Sequence, residues 1–282
     1  MIAFFGLAFG LTWLAWLPYV LSGNGLGVLP WHYPELLGSS QTLGVLPGAY
    51  LGPITAAFLI TARTEGREGL RRWSRRLIRW RVGARWYLAA LFAVPVVAVA
   101  ATFALPGAAD DVRFPPAAVF LAYLPMLVVQ VLTSGLSEEP GWRDFAQPRL
   151  QNRFGPMTAS LILGPLWGAW HLPLFLTDWA GWPDVDWLMP AEFIVSCVLL
   201  GIVLTWVVNA TGGSLPMAML VHANVNTVFS LMWPEIFPSL DVFRASLHAL
   251  IVGSGIIAVI LIAATRGRLG LKEKEPVHRL RS

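Results

Sequence analysis

A single cysteine, Cys197, among 282 residues excludes an internal disulfide and any cluster of cysteine ligands around a metal. Charge is scarce too. Only 13% of the residues are Asp, Glu, Lys or Arg, about half the share of an ordinary soluble domain. Apolar residues make up 56% instead, and a soluble core of this length would leave large apolar patches in water. Lipid removes that conflict. No lysine or arginine precedes the apolar stretch Met1–Leu21, and no Ala-x-Ala-like site closes it, so it reads as a retained first anchor rather than a signal peptide. Repeats, low-complexity tracts and a linker to a second domain are also missing. Residues 1–282 are therefore expected to form one integral membrane domain, with Cys197 a packing residue in an apolar run.

Apolar runs long enough to span a bilayer cover residues 2–21, 43–62, 86–106, 117–137, 157–176, 189–209, 214–233 and 244–265. They are too long and too uniformly apolar for alternating barrel strands. The expected fold class is all-α, a polytopic membrane protein with about eight transmembrane helices. Basic residues fall between spans two and three (Arg63, Arg67, Arg71, Arg72, Arg75, Arg76, Arg79, Arg81, Arg85), after span four (Arg143, Arg149, Arg153) and after span eight (Arg266, Arg268, Lys272, Lys274, Arg279, Arg281). With eight spans these eighteen of twenty lie on one side. The other two, Arg113 and Arg244, share loops with Asp110, Asp111, Glu235 and Asp241, and the loop of Asp178, Asp184 and Asp186 has none. The positive-inside rule then puts both termini in the cytoplasm. Richness in arginine, alanine and glycine points to a bacterial cell membrane.

Within residues 63–85, Leu70, Trp73, Leu77 and Trp80 recur at helical spacing among the arginines. The pattern predicts a cytoplasmic arginine-rich segment lying in the interface, apolar face down and arginines toward anionic headgroups. A patch pinned against the bilayer argues against a nucleic-acid partner. Trp73, Trp80 and Trp86 inside, and Trp179, Trp182 and Trp187 outside, fit two aromatic belts.

Three polar groups stand out among the spans. The first is Ser137-Glu138-Glu139-Pro140-Gly141-Trp142-Arg143, where two adjacent carboxylates sit beside an apolar helix at a cost of about 2.5–3.5 kcal/mol each on insertion scales. Neighbours on a helix point about 100° apart, so Glu139 can pair with Arg143 four residues on while Glu138 has no local partner. The plain alternative is two solvated glutamates and a topology charge. Second comes Trp167-Gly168-Ala169-Trp170-His171, with Trp167 and His171 on one face. A histidine inside a span faces the protein interior or water, or simply bonds a carbonyl freed by Pro165 or Pro173. Third is His222-Ala223-Asn224-Val225-Asn226, with His222 and Asn226 stacked at i and i+4. Both are potential donors toward one point, or glue between helices. His32, His248 and His278 have no polar companion that suggests chemistry.

A carboxylate, two imidazoles and a carboxamide together suit hydrolysis. Glu138 or His171 can serve as general base, with His222 and Asn226 donating to a tetrahedral oxyanion. Glu138, His171 and His222 would equally suit zinc with an open water position, and sequence leaves the two open.

These motifs resemble those of the CAAX-protease and bacteriocin-processing (CPBP, or Abi) family of intramembrane endopeptidases, which includes the type II CAAX prenyl endopeptidase, or Ras-converting enzyme. Glu-Glu-x-x-x-Arg is met by Glu138, Glu139 and Arg143; Phe-x-x-x-His by His171, with Trp167 in place of phenylalanine; His-x-x-x-Asn by His222 and Asn226. The likeness covers residues 120–230, the family's catalytic core. It implies peptide-bond hydrolysis at the membrane, with Glu138 and His171 activating water and His222 and Asn226 forming the oxyanion hole. Glu139 and Arg143 would hold the site's shape, and Trp167 would keep an aromatic wall beside His171. The expected partners are membrane lipids and a peptide or protein substrate, lipidated where the substrate is CAAX-like. The metal-free form is favoured, since His222 and Asn226 already account for the oxyanion. Competing classes are a proton-coupled transporter, against which stands the lack of an inverted repeat, and a scaffold that has lost catalysis. The assignment requires span four to continue as helix past Glu138 through Arg143, because His171 lies some 14 residues into span five.

Overall fold

The computed structural model describes residues 1–36 and 39–271, so Lys272, Lys274, His278, Arg279 and Arg281 lie outside the described residues. Among the described residues, eight helices are long and apolar enough to cross a membrane: α1 Ile2–Leu21, α2 Gln41–Leu77, α3 Ala84–Thr102, α4 Ala117–Phe154, α5 Pro156–Leu176, α6 Met189–Ala210, α7 Leu215–Ile236 and α8 Val242–Thr265. No strand occurs among the described residues. The all-α expectation holds. Residues such as Ile2, Leu14, Phe92, Leu121 and Val259 point outward, as a bilayer solvent allows.

Two helices far exceed the roughly 20 residues a bilayer needs. α2 has 37 residues and α4 has 38. α4 runs 16 residues beyond Glu138 to Phe154, turns at Gly155 (φ 80°) and returns as α5. The continuation through Arg143 is thus present. It is not a regular α-helix, because π turns at Val131–Gly135 and Pro140–Ala146 bracket Leu136–Glu139. Pro140 has no N–H to close the i→i−4 bond, and such a gap is where a wider turn can be inserted. α2 likewise carries a π turn at Tyr50–Ile54 containing Pro53, then breaks at Gly66 (φ 62°, ψ −155°) before its arginine-rich end.

Between helices in lipid, close packing replaces the hydrophobic effect as the main source of attraction. α5 and α6 approach closely because Gly164 and Gly168 lie where a Cβ would fall 2.6 Å from Val198 Cα and 2.8 Å from Ile194 Cα. α1 is sealed to its neighbours by aromatic edges and indole hydrogen bonds. Phe4 stacks on Phe145 at 4.7 Å and meets Trp142 edge-on at 5.6 Å. Trp170 Nε1 donates to Thr12 Oγ1 at 2.8 Å, and Trp13 Nε1 to the Trp170 carbonyl at 2.9 Å. Beyond the spans, Asp178 accepts from Asn24 and Ser40 at 2.9 and 2.8 Å and contacts the Tyr19 hydroxyl.

Gly141 positions the segment that carries the glutamates. A Cβ there would sit 2.5–2.6 Å from Pro53 Cβ, C and O, and backbone cannot step aside as a side chain can. Gly141→Ala is expected to destabilise the protein by about 1–3 kcal/mol, read as a lowered thermal midpoint in detergent.

Several sequence expectations are corrected. Trp73 does not lie on lipid; it is buried in the protein core and its indole donates to the Pro140 carbonyl at 3.4 Å. The reason is α4, whose extension below Glu139 offers the arginine-rich end of α2 a protein surface. Trp179 has a further role that the sequence did not suggest, stacking on the His171 ring at 5.9 Å. His248 does have a polar companion, since its Nε2 lies 3.2 Å from Glu192 Oε1.

Candidate active site

Trp167 of α5 is the hub of the site. Its Nε1–H donates to Glu138 Oε2 at 2.7 Å. Its ring meets His222 edge-on at 5.2 Å and His171 at 6.3 Å between centroids, and the Arg143 guanidinium lies 4.9 Å over it. Glu138, the residue without a local partner, is thus held by an indole from another helix. A phenylalanine could not do this. Glu138, His171 and His222 are all buried, and α4, α5 and α7 each contribute a member of the group.

His171 owes its orientation to the end of the regular helix. α5 is α-helical only to Trp170, and the His171 N–H bonds Gly168 O instead of Trp167 O. The Trp167 carbonyl is left for the side chain, and His171 Nδ1 takes it at 2.9 Å. A carbonyl can only accept, so Nδ1 carries the proton and Nε2 keeps its lone pair. Trp170, Trp179 and Phe193 pack around the ring at 4.6–5.9 Å.

Glu139 sits one residue on and does different work. Its Oε1 lies 2.7 Å from His222 Nδ1, and its Oε2 lies 3.3 Å from Arg143 Nε. Both Glu139 and Arg143 are fully buried. The guanidinium tip rests against α6, where a Cβ on Gly201 would be 3.7 Å from Nη2. Buried charges persist only when paired, and Glu139 here serves two partners. Asn226, one turn beyond His222, donates through Nδ2 to Ser134 Oγ at 3.0 Å. Asn224 faces away, with Nδ2 on the Ala90 carbonyl at 2.7 Å and Oδ1 in contact with Tyr123; it is the interhelical glue of this motif.

Sequence reasoning paired Glu139 with Arg143 but missed its bond to His222. It also missed Ser134 and the aromatic walls Trp179 and Phe193. Ser134 stands four residues before Glu138, on the same helix face, and that spacing was a usable signal. No spacing rule points to Phe193.

Glu138, His171 and His222 do not form a ready metal nest. No group of three His, Cys, Asp or Glu side chains among the described residues is placed to hold an ion. Both histidines keep Nδ1 on an oxygen, the arrangement by which proteins also orient zinc ligands.

Residues 120–228 match the family model described as Type II CAAX prenyl endopeptidase Rce1-like. A CAAX prenyl protease 2 of Methanococcus maripaludis is 23% identical over 231 residues, covering 74% of this chain and 81% of the relative. The matched segment contains α4 from residue 120 on, α5, α6 and the part of α7 that bears His222 and Asn226. Over it the chain is similar to the Rce1-like endopeptidases, and it is a membrane-embedded peptidase.

Proposed function

We propose that this peptidase cleaves a membrane-associated or lipidated, CAAX-like substrate with a water activated between Glu138 and His171. The observation that carries the reading is the convergence of three helices on Trp167, with Glu138, His171 and His222 all in contact with one residue. Glu138 removes a proton from the water as its oxygen adds to the scissile carbonyl carbon. The His171 Nε2 lone pair accepts the water's second hydrogen bond and aims it. Negative charge then gathers on the former carbonyl oxygen. Asn226 has a second N–H beyond the one given to Ser134, and His222 offers Nε2–H when both of its ring nitrogens are protonated, Nδ1–H staying on Glu139. Together they are the oxyanion donors. When the C–N bond breaks, the proton held by Glu138 passes to the leaving amine, and the acid product carries the water oxygen. Both chain termini lie in the cytoplasm on this reading, following the distribution of arginines.

The reading is tested with purified protein in detergent and a library of peptides with hydrophobic or lipidated C-terminal segments. The parent is expected to cleave members of this library and His171→Ala to lose cleavage; a parent that cleaves none, or an undiminished His171→Ala, would contradict it. The proposed mechanism runs without metal, supported by the donor set already present for the oxyanion. Activity is therefore expected to survive exhaustive chelation with no metal by elemental analysis. Its loss on chelation and return with zinc would overturn that part alone.

Trp167→Phe restores the residue of the family motif but deletes the N–H given to Glu138. A hydrogen bond to a charged group contributes about 1.5–3 kcal/mol, so kcat/KM should fall about tenfold or more, with the thermal midpoint nearly unchanged. An equal kcat/KM would show that Glu138 is held by something else.

A further inference from the structure

A second, polar cavity of about 290 Å³ lies between α2 and α4, lined by neither Glu138 nor His171. Its walls include Thr61, Arg72, Trp73 and Arg76 of α2, and Asp144 and Arg149 of α4. Glu65 joins them by accepting from Arg149 at 2.5 Å and from Arg72 at 3.0 Å, and Arg76 pairs with Asp144. Three guanidiniums thus meet two wall carboxylates, with the exposed Glu68 a further partner of Arg72 at 3.7 Å. Three buried wall atoms have no hydrogen-bond partner, Thr61 Oγ1, Asp144 Oδ2 and Arg76 Nε, the last ion-paired with Asp144, and buried polar atoms are rarely left so. The first can donate and the second can only accept. A complementary ligand therefore carries an anion for the arginines and Thr61, and a hydrogen-bond donor for Asp144.

The setting identifies the source. Arg67, Arg71 and Arg75 are exposed on the same arginine-rich stretch of α2, and Phe58 and Leu59 are exposed on its apolar stretch. Basic pockets between helices at the membrane boundary recognise lipid headgroups. The volume equals about ten waters, room for a phosphate with a small alcohol attached. We propose that this cavity binds the headgroup of an anionic glycerophospholipid whose alcohol carries hydroxyls, of the phosphatidylglycerol type: phosphate on Arg72, Arg149 and Thr61, hydroxyl on Asp144. The site adjoins the peptidase centre, since Trp73 holds the Pro140 carbonyl and Asp144 follows Arg143 directly.

The test is binding, so it stands apart from the outcome of any cleavage assay. Delipidated full-length protein is titrated with phosphatidylglycerol, phosphatidylcholine and soluble glycerol phosphate, read by native mass spectrometry and thermal shift. Phosphatidylglycerol should be retained, with the other two bound at least about tenfold more weakly. The double variant Arg72→Gln/Arg149→Gln should weaken its retention by about tenfold, and Thr61→Val, which keeps side-chain shape, should weaken it less. Should the double variant fail to fold, Arg72→Gln and Thr61→Val decide. Retention unchanged in the variants, or phosphatidylcholine bound equally well, would overturn the site. Glycerol phosphate displacing the lipid at equal concentration would make it a soluble-anion site and overturn the lipid assignment.

Discussion

Replacing Glu138 with glutamine is expected to lower kcat for peptide cleavage by about 10²–10⁴-fold, the usual contribution of a positioned general base. The substitution is nearly isosteric, and an amide oxygen can still accept the Trp167 indole hydrogen that now goes to Oε2. Packing around the residue should hold, and the thermal midpoint should move little. Glutamine cannot take a proton from water at neutral pH. KM should stay close to the parent value, because the loss falls on the transition state and not on ground-state binding. Steady-state kinetics with a cleaved library peptide, beside a melting curve, separates a lost base from a lost fold. A Glu138→Gln protein cleaving at the parent rate would remove Glu138 from the chemistry.

Arg143→Met should produce the largest fall in stability, about 3–5 kcal/mol, the usual result of removing one partner from a buried ion pair. Arg143 is fully buried, and Glu139 beside it would keep only His222 as a partner. Methionine fills much of the volume but offers no charge. Two consequences should follow together: a large drop in midpoint, and loss of cleavage as the Glu139–His222 pair loses its anchor. Adding Glu139→Gln removes the stranded carboxylate and should recover part of the stability without recovering activity. That pattern distinguishes an electrostatic role from simple filling of space. A stable, active Arg143→Met protein would contradict the role given to the pair.

Much of this architecture was legible because lipid imposes a coarse and demanding pattern. A span must be long and apolar, so all eight helices could be placed to within a few residues at most ends. The ends that failed are informative. α2 and α4 continue to Leu77 and Phe154, well past their continuous apolar runs, because each becomes the other's partner outside the apolar zone. Apolar windows register the solvent around a helix, not its hydrogen bonding, and they stop where polarity begins. Trp73 was misplaced for the same reason: a tryptophan among arginines looks alike on a headgroup and on a helix.

At the site, local spacing carried what is local. Glu139 with Arg143 and His222 with Asn226 are helix-face relations that i and i+4 describe. The contacts between helices lay beyond it. Glu138 to Trp167, Glu139 to His222 and Asn226 to Ser134 join positions 29, 83 and 92 residues apart. Nothing in periodicity selects them. Only the departure from the family motif, tryptophan for phenylalanine, hinted that Trp167 does more than fill space.

The most direct measurement is an experimental structure of the protein with a peptide aldehyde, whose hydrate mimics the tetrahedral intermediate. One hydrate oxygen should lie about 2.7–3.1 Å from both His222 Nε2 and Asn226 Nδ2, with the other hydroxyl directed at Glu138 and His171. An aldehyde seated elsewhere, or a hydrate whose oxygens reach none of these four side chains, would contradict the account.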